Sequence, residues 1–146
     1  MIVAMILAAW MAGCASTRPE LRVGAVPSDF ALELRVAADD QRPGALYIVE
    51  PDRVLRAATG PDVTRQMYPA PTRLLTPGEM ERVYNLLVET QIVEKSPEST
   101  APMGTTPLSL YVCAGGRRKV IAIGPAETLD LDPLVRELDR LAWVRP

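Results

Sequence analysis

Two periods alternate along this chain. From Phe30, the residues Phe30, Leu32, Leu34 and Val36 occupy every second position, with Ala31, Glu33, Arg35 and Ala37 between them. That repeat of two marks a half-buried strand. Asp39 to Gly44 is rich in turn formers, and "LYIVEPDRVLRAA" then places two short strand-like runs on either side of Glu50-Pro51-Asp52-Arg53. Proline at the second position presets φ for a type I turn, so the segment is expected to be a hairpin. Thr59 to Pro71 has three prolines and no period, and Thr72 to Leu75 is a candidate short strand.

The period then changes. In "TPGEMERVYNLLVET", Met80, Val83, Tyr84, Leu87 and Val88 recur at spacings of three and four, one face of a helix. Thr76 is placed as N-cap, Pro77 as first helical residue and Glu79 as the partner in a capping box. This helix is expected to stop near Glu94, before Pro97, and Ser96 to Pro107 reads as a loop.

"LSLYVCAGGRRKVIAI" predicts a second hairpin. Gly115-Gly116 as a two-residue type I′ turn pairs Ala114 with Arg117 and Cys113 with Arg118. Continuing outward, Val112 meets Lys119, Leu110 meets Ile121 and Leu108 meets Ile123, which gives one nearly apolar face. Asp132-Pro133 is expected to cap a last helix with Leu134, Val135, Leu138, Leu141 and Ala142 buried. The expected fold class is therefore α+β, a single antiparallel β-sheet with two α-helices packed on one face, in the order strands, helix, hairpin, helix.

The first dozen residues follow neither period. Met1 to Ala12 is continuously apolar. It is too short for the roughly 20 residues that span a bilayer, but it suits the apolar core of a secretory signal. Met11-Ala12-Gly13-Cys14 resembles the lipobox of bacterial lipoproteins, with methionine where leucine is common and no Lys or Arg before the run. The resemblance implies that Cys14 carries a diacylglyceryl group and that the chain is cut before it, with Met11, Ala12 and Gly13 as the recognition residues. The organisation it implies is a signal peptide over 1–13, a lipidated tether over 14–28 and a single α+β domain over 29–146. Ala15, in place of aspartate after the cysteine, favours the outer membrane.

Charge and chemistry narrow the function classes. The formal net charge is −2 with no basic block, which argues against a nucleic-acid partner. There is no histidine, so His-dependent triads, the commonest general base and most zinc sites are excluded. No glycine-rich phosphate loop is present. No catalytic set, metal site or cofactor is expected, and the chain is not read as an enzyme.

Three weaker candidates remain. Cys113 faces Arg118 across the hairpin, a setting for a reactive thiol. With Cys14 lipidated it would be open to pairing with another molecule, and with Cys14 free a Cys14–Cys113 disulfide is the alternative. The pairs Asp130/Asp132 and Asp39/Asp40 suit helix capping and turn formation better than acid–base work. Arg117, Arg118 and Lys119 at the hairpin tip form a candidate surface contact for anionic headgroups.

Beyond the lipobox, "LYIVEPDRVLRAATG" and "YPAPTRLLTPGEMERVYNLLVET", with the "LAWVR" ending, resemble small bacterial envelope lipoproteins, a likeness that carries no activity with it. The expectation is a membrane-anchored envelope protein acting as an interaction or structural module with an envelope protein partner. The alternative is a small-ligand-binding lipoprotein with a pocket between sheet and helices near Tyr84, Tyr111 or Trp143.

Overall fold

The computed structural model describes residues 20–40, 43–61, 63, 67–100, 108–124 and 128–143. The lipobox residues Met11, Ala12, Gly13 and Cys14 lie outside them. Six strands, β1 (Ala31–Val36), β2 (Ala45–Val49), β3 (Val54–Thr59), β4 (Pro71–Leu74), β5 (Leu108–Ala114) and β6 (Arg117–Ile123), form one sheet in the order β4-β3-β2-β1-β5-β6. All five neighbouring pairs are antiparallel. Three helices complete the described fold, α1 (Pro77–Glu89), α2 (Ile92–Lys95) and α3 (Thr128–Trp143).

Register follows from the alternation. β1 sits at the centre, with Leu34 opposite Tyr47 on one side and Leu110 on the other. Each strand thereby turns the same set of residues to one face: Leu32, Leu34 and Val36 from β1, Tyr47 and Val49 from β2, Leu108, Leu110 and Val112 from β5, Ile121 and Ile123 from β6. These belong to one core cluster with Met80, Val83, Tyr84 and Leu87 of α1, Ile92 and Val93 of α2, and Leu131, Leu134, Leu138 and Leu141 of α3. Phe30 meets the Tyr84 ring edge-on at a centroid distance of 5.1 Å. Burial of this apolar surface is the dominant favourable term in folding.

The two hairpin turns differ in how well their residues suit them. Gly115 and Gly116 take φ of 60° and 72°, the pair of positive values that a type I′ turn requires. The β5–β6 register matches the expectation at every pair named above. In the β2–β3 turn, the Arg53 amide donates to the Glu50 carbonyl at 2.9 Å. Arg53 itself is left-handed at φ 71°, a conformation costing a non-glycine residue roughly 1–2 kcal/mol. It is held there from both sides: its carbonyl accepts the Leu75 amide at 2.9 Å, and its guanidinium donates to the Leu75 carbonyl at 3.1 Å.

The helix ends differ from expectation. The start of α1 is as read, with both halves of the Thr76/Glu79 capping box present. It stops at Glu89 rather than near Glu94. Thr90 caps it and Gln91 turns left-handed at φ 56°, and the chain restarts as the single-turn helix α2. The last helix begins at Thr128, four residues ahead of the expected Asp132-Pro133 start. Pro133 therefore lies inside it and removes one backbone hydrogen bond. The added turn brings Leu131, fully buried, into the stripe of Leu134, Leu138 and Leu141. Asp132 is an intrahelical ion-pair partner rather than a cap, 2.6 Å from Arg136.

Residues 20–28, the described part of the expected tether, make contacts with the fold. Leu21 and Val26 pack against the core. The Gly24 amide donates to Asn85 Oδ1 at 2.8 Å, so residues 20–28 lie against α1.

Candidate functional site

A groove of about 520 Å³ runs between α1 and α3. Arg82 and Leu86, one helical turn apart, line it from α1. Pro133, Arg136, Glu137 and Arg140 line it from α3, together with Asp132. Glu137 falls within the apolar stripe of α3, so its carboxylate is carried inward and its side chain is only 7 % exposed. Burial of a charge is tolerated when it is paired. Here Arg140 donates to both Glu137 oxygens, at 2.8 and 3.0 Å, and Arg82 reaches Oε1 at 3.2 Å. The Arg140 guanidinium, with smaller help from Arg82, holds the Glu137 carboxyl below the usual range against the opposing effect of burial. The arrangement fixes charge and shape; it offers no free acid or base.

A second groove, of about 320 Å³, lies where Glu20, Leu21, Arg22 and Pro27 meet Tyr84 and Gly115. Tyr84 itself is 1 % exposed. Burial raises its phenol, opposed by the Arg22 amide donating to it. Next to this groove, Asp29 accepts the Gly115 and Gly116 amides at 2.7 Å each. These contacts pull the Asp29 carboxyl below its ordinary value, the Gly116 amide contributing most.

The basic hairpin tip is divided by the structure. Arg117 makes a two-pronged ion pair with Glu94 of α2, at 2.6 and 3.1 Å. Lys119 donates to the Val93 carbonyl. Both lie on the helix side of the hairpin because their partners in register, Ala114 and Val112, are core residues. Arg118 points the other way and is exposed. The three cations thus do not form one contact surface: two of them fasten α2 to the sheet.

Cys113 is half-buried and unpaired in a disulfide. Its Sγ donates to Asp29 Oδ2 at 3.8 Å, so a carboxylate shares its surroundings with Arg118. Asp130 lies in the first turn of α3, where a carboxylate suits the helix dipole. Asp40 is exposed in the loop after β1. No group of three or more His, Cys, Asp or Glu among the described residues is arranged to hold a metal ion. No described helix is long and apolar enough to cross a membrane.

The three aromatics named as alternatives for a ligand pocket lie in different places. Tyr84 is in the core, Tyr111 is half-buried beside Glu33 and Val120 on the opposite sheet face, and Trp143 is 48 % exposed at the end of α3. Trp143 does take part in a polar contact that sequence reasoning missed. Its indole N–H and the Tyr47 hydroxyl both donate to Asp139 Oδ1, at 2.9 and 3.0 Å. Burial, reinforced by Asp139, raises the Tyr47 phenol far above its usual value. Glu137 was also missed, although an acid inside an apolar stripe with arginine three residues on was a readable sign of it.

No protein-family model matches the chain, and no curated protein matches it.

Proposed function

We propose that this protein is a lipid-anchored module of the bacterial cell envelope, held to the membrane through Cys14, outer rather than inner, and working by binding an envelope protein. The apolar opening and the Met11-Ala12-Gly13-Cys14 lipobox support the address. Three α-helices covering one face of the antiparallel sheet leave the α1/α3 surface as the working part.

The observation that carries the binding role is the open α1/α3 groove, lined by exposed guanidiniums together with Leu86 and Pro133. A ligand pocket ordinarily buries most of a small molecule's surface. A trough open along its length suits a segment of a larger partner instead.

Photo-crosslinking in living cells tests this reading. A crosslinking residue is placed in turn at Pro133, Leu74, Tyr68 and Asp40, all exposed. A binding module gives discrete protein adducts from one region and none from the others. Absence of protein adducts at every position contradicts it.

A further inference from the structure

The α1/α3 groove shows more positive than negative charge to solvent. The side chains of Arg82, Arg136 and Arg140 are 67, 80 and 52 % exposed, whereas those of Glu137 and Asp132 are 7 and 41 % exposed. Glu137 sits low, Asp132 shares the rim with Arg136, and three guanidiniums outnumber the two acids. Glu137 and Asp132 occupy Nε of Arg82, Nε and Nη2 of Arg140 and Nη2 of Arg136. A guanidinium has five N–H donors, so each keeps donors beyond those these carboxylates take. Planar guanidiniums held in place match carboxylates in two-pronged geometry. The chain as a whole has a net charge of −2, so this attraction is local to the groove.

Size and placement narrow the occupant. Asp132 to Arg140 is eight residue steps of helix, about 12 Å at the usual rise. That length accommodates a few residues of extended peptide, at roughly 3.3 Å each. Leu86, partly buried, and Pro133, exposed, add apolar surface to the lining. The amino-terminal segment lies on the other flank of α1, where Gly24 bonds Asn85.

We infer that this groove docks an acidic peptide segment of the partner, its carboxylates on Arg82, Arg136 and Arg140 and an apolar side chain over Leu86 and Pro133. The inference rests on the binding role proposed above and names the chemistry of its partner.

Full-length protein in detergent, titrated by NMR with a short glutamate–leucine peptide, tests it. A glutamine–leucine peptide and vesicles of anionic phospholipid serve as comparisons. The acidic peptide is expected to shift the amides of residues 82, 86, 133, 136 and 140, and the neutral one is not. The double variant Arg82→Gln/Arg136→Gln weakens the binding by about tenfold or more. Arg136→Gln alone, which leaves Glu137's pairs with Arg82 and Arg140 intact, gives a smaller loss in the same direction if the double variant unfolds. Equal binding of both peptides, no binding of either, or shifts outside the groove overturn the assignment. So does a groove that responds to the vesicles and not to the peptide. Crosslinks to protein from positions other than Pro133 would then keep the binding role and remove only this site, whereas no crosslink anywhere removes both.

Discussion

Asp29 Oδ2 accepts the backbone amide of Gly116 at 2.7 Å, across 87 positions of sequence. With Oδ1 on the Gly115 amide at 2.7 Å, one carboxylate closes the type I′ turn and fastens the entering chain to the sheet. Hydrogen bonds to a charged group contribute about 1.5–3 kcal/mol, less where solvent reaches them. Asp29→Ala is therefore expected to lower stability by about 1–2 kcal/mol. Urea denaturation reads it, with faster amide exchange at Gly115 and Gly116. An unchanged midpoint contradicts the contact.

The turn itself depends on glycine. Space around both positions is open, so a β-carbon at either meets no atom within 4 Å. The penalty is that of a left-handed backbone alone, roughly 1–2 kcal/mol for alanine and less for asparagine. Thermal denaturation should rank Gly116→Ala below Gly116→Asn, and both below the parent protein.

Glu137→Gln keeps the shape of the buried side chain and removes the charge that pairs with Arg82 and Arg140. Both arginines are half-exposed or more and regain water, so the expected loss is about 1–2 kcal/mol, below that of a fully buried pair. Denaturant midpoints check it. A loss shared by Glu137→Gln and Arg140→Gln, and not summed in the double variant, identifies the pair as one unit.

Acid should weaken the fold. Asp29 is lowered mainly by the Gly116 amide, Glu79 by the Thr76 amide, Glu94 by Arg117 and Glu137 by Arg140. Each folded-state value lies below the unfolded one, so the unfolded chain takes up protons first as pH falls. The stabilisation is complete above the ordinary values of 3.8 and 4.5 and drains away as pH drops through the depressed ones. Stability flat from neutral pH to about 5 and falling below about 4 is the expected profile. Asp29→Asn should flatten part of that fall.

What the sequence made legible was local. The β5–β6 register followed because two adjacent glycines set the turn and the alternation of Leu108, Leu110 and Val112 admits one pairing. The start of α1 followed because Thr76, Pro77 and Glu79 are all within one turn. The start of α3 was misread because Asp132-Pro133 carries a helix-start signal, while burial of Leu131 decides the outcome. Arg117 and Lys119 read as a solvent-facing run because their partners, Glu94 and the Val93 carbonyl, lie on a helix whose position no local pattern gives. The docking of residues 20–28 was hidden for the same reason: Gly24 and Asn85 are 61 positions apart.

The envelope address, and with it the class of partner, depends on Cys14 as the mature amino terminus, and intact-mass spectrometry of the protein from bacterial envelopes tests that most directly. A chain beginning at Cys14, heavier than its polypeptide by a diacylglyceryl group and an amide-linked acyl chain, is the predicted result. A species that retains residues 1–13 with an unmodified cysteine contradicts it.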